Sequence, residues 1–297
     1  KPIFDRFFRQ QRFENSECTF TNLYMWRKGY SIEWTVIDDF LVIKAQDSEN
    51  TPYLLGPFGM DESKLGSVID KLVDYFQQHQ WSFSIKGVST EMVEKLQKAK
   101  PGFLCFREDR NNYDYVYSTE DLINLAGRKY HSKVNHLNYF KKQYQYQYAA
   151  ITPELIQPCK DSAREWCTEH DGCSDTSLRF EYYAIIDVLD NFQQLGVQGA
   201  AILVDNKVAA FSFGEKLNSD TAVIHVEKGH NIRGLYQAIN QEFLKNAWSD
   251  VPYVNREEDM GIEGLRKAKQ SYHPVKMVKK YTAVIKERRR SKRSSEC

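Results

Sequence analysis

Apolar residues along the chain alternate between a period of two and a period near 3.6, and the order of these runs predicts the elements. Residues 32–37 and 41–45 are β-rich runs divided by Asp38-Asp39, which reads as a hairpin. A short strand at 53–55 closes on Gly56-Pro57-Phe58-Gly59. Leu65, Val68, Ile69, Leu72, Val73 and Phe76 then repeat at helical spacing within 61–79. A strand at 81–88 leads to a helix capped by Ser89 or Thr90, with Glu91 in its first turn. Strands at 103–107 and 113–117 complete the set.

The second half repeats this order. A strand at 144–151 and helices near 153–170 and 178–195 come first. Runs 200–204 and 208–217 form a hairpin about Asp205-Asn206. A third strand at 221–227 puts Ala222, Ile224 and Val226 on one face and Val223, His225 and Glu227 on the other. After a loop at 228–232, a helix carries Leu235, Ala238, Ile239 and Phe243. A strand at 251–255, a short helix at 261–271 and a strand region at 275–285 close the block. Two blocks of hairpin, strand, loop, helix, strand, helix and strand indicate a duplicated unit. A polar helix at 125–144 lies between them, and the expected boundary falls near residue 118. This gives an N-terminal domain at 1–118, the interdomain helix plus a C-terminal domain at 119–285, and a basic tail at 286–297.

Charge refines the picture. The total is +1, from 41 Lys/Arg and 40 Asp/Glu. Residues 276–293 hold nine Lys/Arg against one acid, a window of +8, so the rest of the chain sums to −7. Residues 127–142 add a second basic window of +5. Bulk charge does not point to a DNA-coating protein, but local basic patches remain. The absence of an 18-residue apolar run excludes a spanning helix within this sequence, and the charged first residues do not read as a signal peptide. A cytoplasmic protein is expected.

Several chemistries are excluded. No two of the six cysteines have CxxC spacing, and His131 and His136 are five apart, so no metal site is expected. Gly229 and Gly234 are followed by Leu235-Tyr236 instead of Lys-Ser/Thr, so there is no nucleotide P-loop. Asp171, Cys173 and Asp175 lack the length and closing Glu of an EF-hand loop and read as an ordinary turn.

Three motifs carry a resemblance: Tyr113-Asp114-Tyr115-Val116-Tyr117; the segment from Gly127 to His136; and the long block from Asn255 to Lys269 that ends in Tyr272-His273-Pro274. They resemble a bacterial family that shares the fold of the phosphatidylglycerol lysyltransferase C-terminal domain, with Fem-type aminoacyltransferases as more distant relatives. The resemblance covers roughly residues 20–285. It implies an α+β fold: two tandem GNAT-like domains, each the acyl-CoA N-acyltransferase fold, with central mixed sheets flanked by helices. Val134 departs from it, standing where a basic residue is expected.

In such a fold an anion sits where the third strand feeds a loop and helix, because free helix amides favour negative charge. The first repeat places Asp61 and Glu62 there, which repel phosphate. The second repeat offers Lys228, Gly229, His230, Arg233 and Gly234 with no acid, as the candidate cofactor-binding residues. The competing reading is a solvated basic turn, and Tyr236 stands where acetyl-CoA-binding members usually carry Gly or Ala. Glu257 and Asp259 are the candidate catalytic carboxylates, able to take a proton from an acceptor or to hold an ammonium. They share a face if the stretch is extended, with Glu258 turned away. Helix capping, or pairing with Arg266 and Lys269, is the structural alternative. Arg128, Lys129, Lys133, Asn255, Arg266, Lys269 and Tyr272 complete the candidate substrate-binding set.

The leading expectation is an acyl- or aminoacyltransferase acting on an amine or hydroxyl acceptor from the C-terminal half. Acyl-CoA or aminoacyl-tRNA is the donor substrate, and no cofactor is tightly bound. Small molecules, lipids and tRNA are the expected partners. An acetyl-CoA-dependent small-molecule N-acetyltransferase and a non-catalytic ligand sensor or adaptor are the alternatives.

Overall fold

A computed structural model describes residues 1–170 and 176–286. The turn around Cys173 and the basic tail beyond Lys286 lie outside the described residues.

Two short helices open the chain, α1 (Pro2–Phe8) and α2 (Phe20–Trp26). The first repeat follows as β1 (Glu33–Ile37), β2 (Phe40–Gln46), β3 (Pro52–Phe58), α3 (Glu62–Gln78), β4 (Ser84–Ser89), α4 (Thr90–Ala99) and β5 (Leu104–Glu108). A connecting region holds β6 (Asp114–Ser118), α5 (Thr119–Asn124), α6 (His131–Gln143), β7 (Tyr146–Ala150), α7 (Pro153–Glu169), α8 (Thr176–Asp190) and α9 (Phe192–Leu195). The second repeat is β8 (Gln198–Val204), β9 (Lys207–Lys216), β10 (Thr221–Gly229), α10 (Leu235–Ala247), β11 (Tyr253–Asn255), α11 (Glu263–Gln270), β12 (Lys276–Val278) and β13 (Lys280–Ile285). Both hairpins turn where the sequence places them. Asp38 and Asp39 have φ of 48° and 69°, and Asp205 and Asn206 have 50° and 60°. A two-residue turn needs this left-handed pair to match the twist of its strands. The helix expected at 125–144 is shorter: Arg128–Tyr130 is a 3₁₀ turn, and α6 starts only at His131.

The strands form two mixed sheets, ordered β1-β2-β3-β4-β13-β5 and β12-β6-β11-β10-β9-β8-β7. This corrects the boundary at residue 118. β6 lies between β11 and β12 of the second sheet, and β13 lies between β4 and β5 of the first. The single strand region expected at 275–285 divides at Lys279, one part serving each sheet. A central strand needs a hydrogen-bonding partner on each edge, and each half takes one such strand from the other.

The cores follow the two periods. In β2, Phe40 and Val42 pack with Leu65, Val68, Ile69 and Phe76 of α3, whereas Leu41 and Ile43 pack with Phe4, Phe7 and Phe8 of α1. Each such fully buried side chain contributes about 1.5–3 kcal/mol relative to exposure. In the second sheet, α6 and α10 cover one face through Phe140, Leu235, Ile239 and Phe243, and α7 and α8 cover the other through Cys159, Ala163, Ala184 and Val188.

The feature that positions the site is a splay between parallel strands. β10 and β11 pair only from Thr221 with Tyr253 to Val223 with Asn255. β10 then runs on to Gly229 while the chain after Asn255 turns away. At His225 the β9–β10 register shifts, so that Ile224 faces Gly214 and Val226 faces Phe213. Such a bulge bends the strand and re-aims its side chains.

Candidate active site

The splay opens into a cavity of about 970 Å³ lined by both halves. The second half contributes His225 to Lys228 and Arg256 to Glu258, and the first half closes it with Tyr53, Leu55 and Lys86.

The candidate carboxylates are not arranged as expected. Glu257 and Met260 have φ of 57° and 51°, so the stretch is not extended and the alternation breaks. Glu257 and Glu258 both line the cavity, and Asp259 turns away into the protein. Asp259 is fully buried and accepts hydrogen bonds from Tyr115 Oη (2.6 Å), Arg266 Nε (2.9 Å) and Nη2 (2.8 Å), the Gly261 amide (2.8 Å) and Arg110 Nη1 (3.3 Å). Burial opposes its ionisation, but the bonds from Arg266 and Tyr115 outweigh it and hold the carboxyl well below the usual range. A carboxylate tied in this way is not placed to take a substrate proton. Its assignment as a catalytic residue is therefore corrected: Asp259 and Arg266 lock the loop.

Glu257 Oε1 accepts from His225 Nδ1 (2.9 Å) and Asn22 Nδ2 (3.1 Å). The other ring nitrogen of His225 bonds to Glu215 Oε1 (3.0 Å). Burial alone would lower the pKa of this enclosed imidazole, but its bonds to Glu215 and Glu257 raise it to about 9. At neutral pH it is an imidazolium that donates to both carboxylates and fixes Glu257 against the cavity wall.

Glu258 is partly buried. Desolvation pushes its carboxyl up to about 7, with Lys280 opposing and Glu257 adding to the rise. Lys280 is itself fully buried, with Nζ 2.7 Å from Glu17 Oε1, 2.7 Å from Asp114 Oδ1 and 4.0 Å from Glu258 Oε2. Burial works against its charge, but Asp114, Glu17 and Glu258 outweigh that and keep it an ammonium. Asp114 also accepts from the Ser16 amide (2.8 Å), Ser16 Oγ (3.0 Å) and Asn255 Nδ2 (3.0 Å).

The remaining candidates fall in three places. Lys133, Lys269 and Tyr272 line the cavity. Asn255 is buried behind it, donating to the Glu14 carbonyl and to Asp114. Arg128 and Lys129 are exposed outside it, and Lys129 pairs with Asp121 at 2.9 Å.

The expected anion loop is largely occupied by protein contacts. Lys228 and Gly229 belong to β10 itself. Lys228 lines the cavity, paired with Glu181 at 2.8 Å and seated over the Trp166 ring. The Tyr236 hydroxyl donates to the Gly229 carbonyl (3.1 Å) and accepts from its amide (3.3 Å). His230 contacts Glu169 at 3.2 Å, and Arg233 lies over Tyr139. Gly234 has φ of 87°, and a Cβ there would come within 2.1 Å of the His136 carbonyl oxygen. Its glycine is required by the contact between α10 and α6, which removes it as evidence for close phosphate approach.

Reading the sequence missed His225, Glu258, Glu17, Asn22 and Lys280. His225 carried a signal, alternating with Glu227 on a strand that leads to the candidate loop. Lys280 had none, because only the strand exchange brings it here.

The family described as phosphatidylglycerol lysyltransferase, C-terminal, matches residues 8–284. The chain belongs to this family. A conserved protein of unknown function from Bacteroides thetaiotaomicron VPI-5482 is 38% identical, with 96% of each chain covered and a TM-score of 0.88. L-PGS from Bacillus licheniformis is 13% identical, with 97% of this chain and 93% of that chain covered and a TM-score of 0.67, and shares the fold. An uncharacterized protein of Mycoplasmoides gallisepticum is 25% identical over 202 residues, or 68% of this chain, and the chain spans 63% of the length of that curated relative. Among the described residues no helix is long and apolar enough to cross a membrane.

Proposed function

We propose that the chain is an aminoacyltransferase, moving an aminoacyl group from aminoacyl-tRNA to an amine or hydroxyl acceptor within the cavity between the halves. The observation that carries this reading is the acidic wall, where Glu17, Glu257 and Glu258 line one cavity with Asp114 and Glu215 behind them. An aminoacyl group brings an ammonium that pairs with such a wall, and an acetyl group brings none. The contacts that occupy the loop at 228–234 argue in the same direction, because they leave little open backbone for a coenzyme pyrophosphate. Membership of a family named for lysyl transfer to phosphatidylglycerol supports the reaction class.

In this mechanism Glu257, held by His225 and Asn22, pairs with the ammonium. Glu258 takes the proton from the acceptor as its nitrogen or oxygen attacks the ester carbonyl. The tetrahedral intermediate then collapses, the bond from the carbonyl carbon to the ribose oxygen breaks, and Glu258 returns its proton to that oxygen. A pKa of about 7 suits a group that must first take and then give a proton near neutral pH.

The test is to titrate the full chain separately with aminoacyl-tRNA and with acetyl-CoA. Thermal stability and transfer of the labelled acyl group to a bacterial lipid and metabolite extract are followed. Stabilisation and transfer with aminoacyl-tRNA are expected. Stabilisation and transfer with acetyl-CoA alone overturn the proposal.

A further inference from the structure

The first sheet ends on an edge strand that carries none of the usual guards. β1 has only β2 beside it, and four of its five residues are exposed. Edge strands are commonly blunted by lysine, proline or a bulge. Residues 33–37 contain no Lys or Pro, and the β1–β2 register runs unbroken from Glu33 with Lys44 to Ile37 with Phe40. The opposite edge of this sheet, β5, presents Arg107 and Glu108 instead. Trp34 and Val36 stand opposite Ile43 and Leu41, so they share the face that α1 covers, and the Trp34 ring lies 5.2 Å from that of Phe4. Even so, Trp34 is 47% exposed, Val36 39% and Ile3, next to Phe4 in the chain, 40%.

The hairpin fixes which backbone groups of β1 are open. Its two-residue turn at Asp38-Asp39 makes Ile37 and Phe40 the closing hydrogen-bonded pair. Bonded and non-bonded pairs alternate along an antiparallel ladder, so Glu33 and Thr35 also bond to β2. Trp34 and Val36 therefore turn their N–H and C=O groups to the open edge. Those groups are self-complementary about a two-fold axis through Thr35. In that register Trp34 lies opposite the partner's Val36, Val36 lies opposite the partner's Trp34, and each pair exchanges both backbone hydrogen bonds. The side chains of each pair meet on one face, and an aromatic residue beside a β-branched one is a favourable cross-strand pair. An axis through Trp34 or Val36 instead sets part of these groups against residues outside the strand. Charge agrees with the same register. Glu33 comes opposite the partner's Ile37 and not another acid, and within its own chain it is paired with Lys44 at 2.5 Å, as Asp38 is with Lys71 at 2.6 Å.

We infer that β1 is a dimerisation strand, on which a second copy of this chain pairs antiparallel about Thr35 and joins the two first sheets into one continuous sheet. A second copy fits because, in one register, it supplies an apolar residue opposite Trp34 and Val36, a donor and an acceptor for each open backbone group, and no acid opposite Glu33. The contact is short, so a Kd of the order of 10 µM is expected. The pairing does not depend on the transfer reaction.

Sedimentation equilibrium of the full chain between about 1 and 200 µM reads the pairing, for the parent and for Val36→Lys, which sets a charge against the partner's Trp34. Circular dichroism and the melting temperature report whether Val36→Lys folds. A second variant tests the register. Thr35→Cys places two thiols across the axis in a non-hydrogen-bonded pair, with Cα atoms about 4.5 Å apart and so within disulfide range. Glu49→Cys, exposed in the turn after β2, is the control, and both are compared with the parent so that the native cysteines are accounted for. The parent should dimerise with rising concentration, and Val36→Lys should weaken the dimer at least tenfold. Under mild oxidation Thr35→Cys should give a disulfide-linked dimer well above that of Glu49→Cys and of the parent. A parent that stays monomeric at the highest concentration, a folded Val36→Lys that dimerises as the parent does, or a Thr35→Cys that cross-links no more than Glu49→Cys overturns the inference. If Val36→Lys fails to fold, Thr35→Cys decides.

Discussion

Lys280 Nζ lies 2.7 Å from Asp114 Oδ1, and these are the first residues of the two strands that the halves exchange. Both side chains are fully closed to solvent. The ion pair therefore sits where each half enters the other's sheet, and its lysine also stands beside Glu17 and Glu258 of the cavity. Fold and site meet at one buried ammonium.

Removing that ammonium while keeping its volume tests the relationship. Lys280→Met leaves Asp114 and Glu17 without their cation. Breaking a buried pair from one side typically costs about 3–5 kcal/mol. Chemical denaturation should register a loss of that size, and Asp114→Asn in the same chain should recover part of it. A loss below about 1 kcal/mol contradicts the role assigned to Lys280.

Stability should depend on pH in a way that two residues explain. Glu258 has a folded pKa of about 7, above its ordinary value of 4.5, so the folded state prefers the protonated form. The parent therefore loses stability as pH rises from about 4.5 through 7, and Glu258→Gln escapes that loss. The melting temperature of Glu258→Gln relative to the parent should rise over this window and level off above it. His225 is raised from 6.5 to about 9, so its contribution is fully present below pH 6.5 and is lost as pH rises through 9. His225→Gln should flatten the decline between those values. Parallel melting curves for parent and variants across both windows contradict these assignments.

Asp259 and Glu257 should behave differently when neutralised. Asp259→Asn removes the charge that holds Arg266 and Arg110, so a destabilisation of about 2–3 kcal/mol is expected. Transfer per folded molecule should stay within a few-fold of the parent, because Asp259 does not line the cavity. Glu257→Gln should raise KM for the aminoacyl donor at least tenfold with a smaller effect on folding. Steady-state kinetics beside denaturation curves separate the two. A variant Asp259→Asn that folds normally but loses transfer reverses the roles.

Much of the fold was legible because local signals agreed with the global structure. The helical repeat from Leu65 to Phe76 became the buried face of α3, and Asp38-Asp39 and Asp205-Asn206 became left-handed hairpin turns. Phe4, Phe7 and Phe8 also had helical spacing, but seven residues are too few to declare a helix without the sheet they cover. The exchanged strands were not legible, because β6 and β13 look like any strand and pairing at long range leaves no local mark. The site was half legible. The block from Asn255 to Lys269 borders the candidate cavity, but the left-handed φ at Glu257 puts Glu258 in the place expected for Asp259. Gly234 misled for a steric reason, since the approach it permits is that of the His136 carbonyl.

In the proposed reaction Glu258 moves the proton of aminoacyl transfer within this cavity. The most direct test is the single-turnover rate of transfer of a labelled aminoacyl group from bulk charged bacterial tRNA, measured between pH 5.5 and 8.5 for the parent and Glu258→Gln. A loss of at least about 100-fold is the scale expected for a general base. The parent rate should rise through an apparent pKa near 7, and Glu258→Gln should lose both the rate and the rise. A Glu258→Gln variant that keeps the parent's rate and the same rise with pH would contradict this role for Glu258.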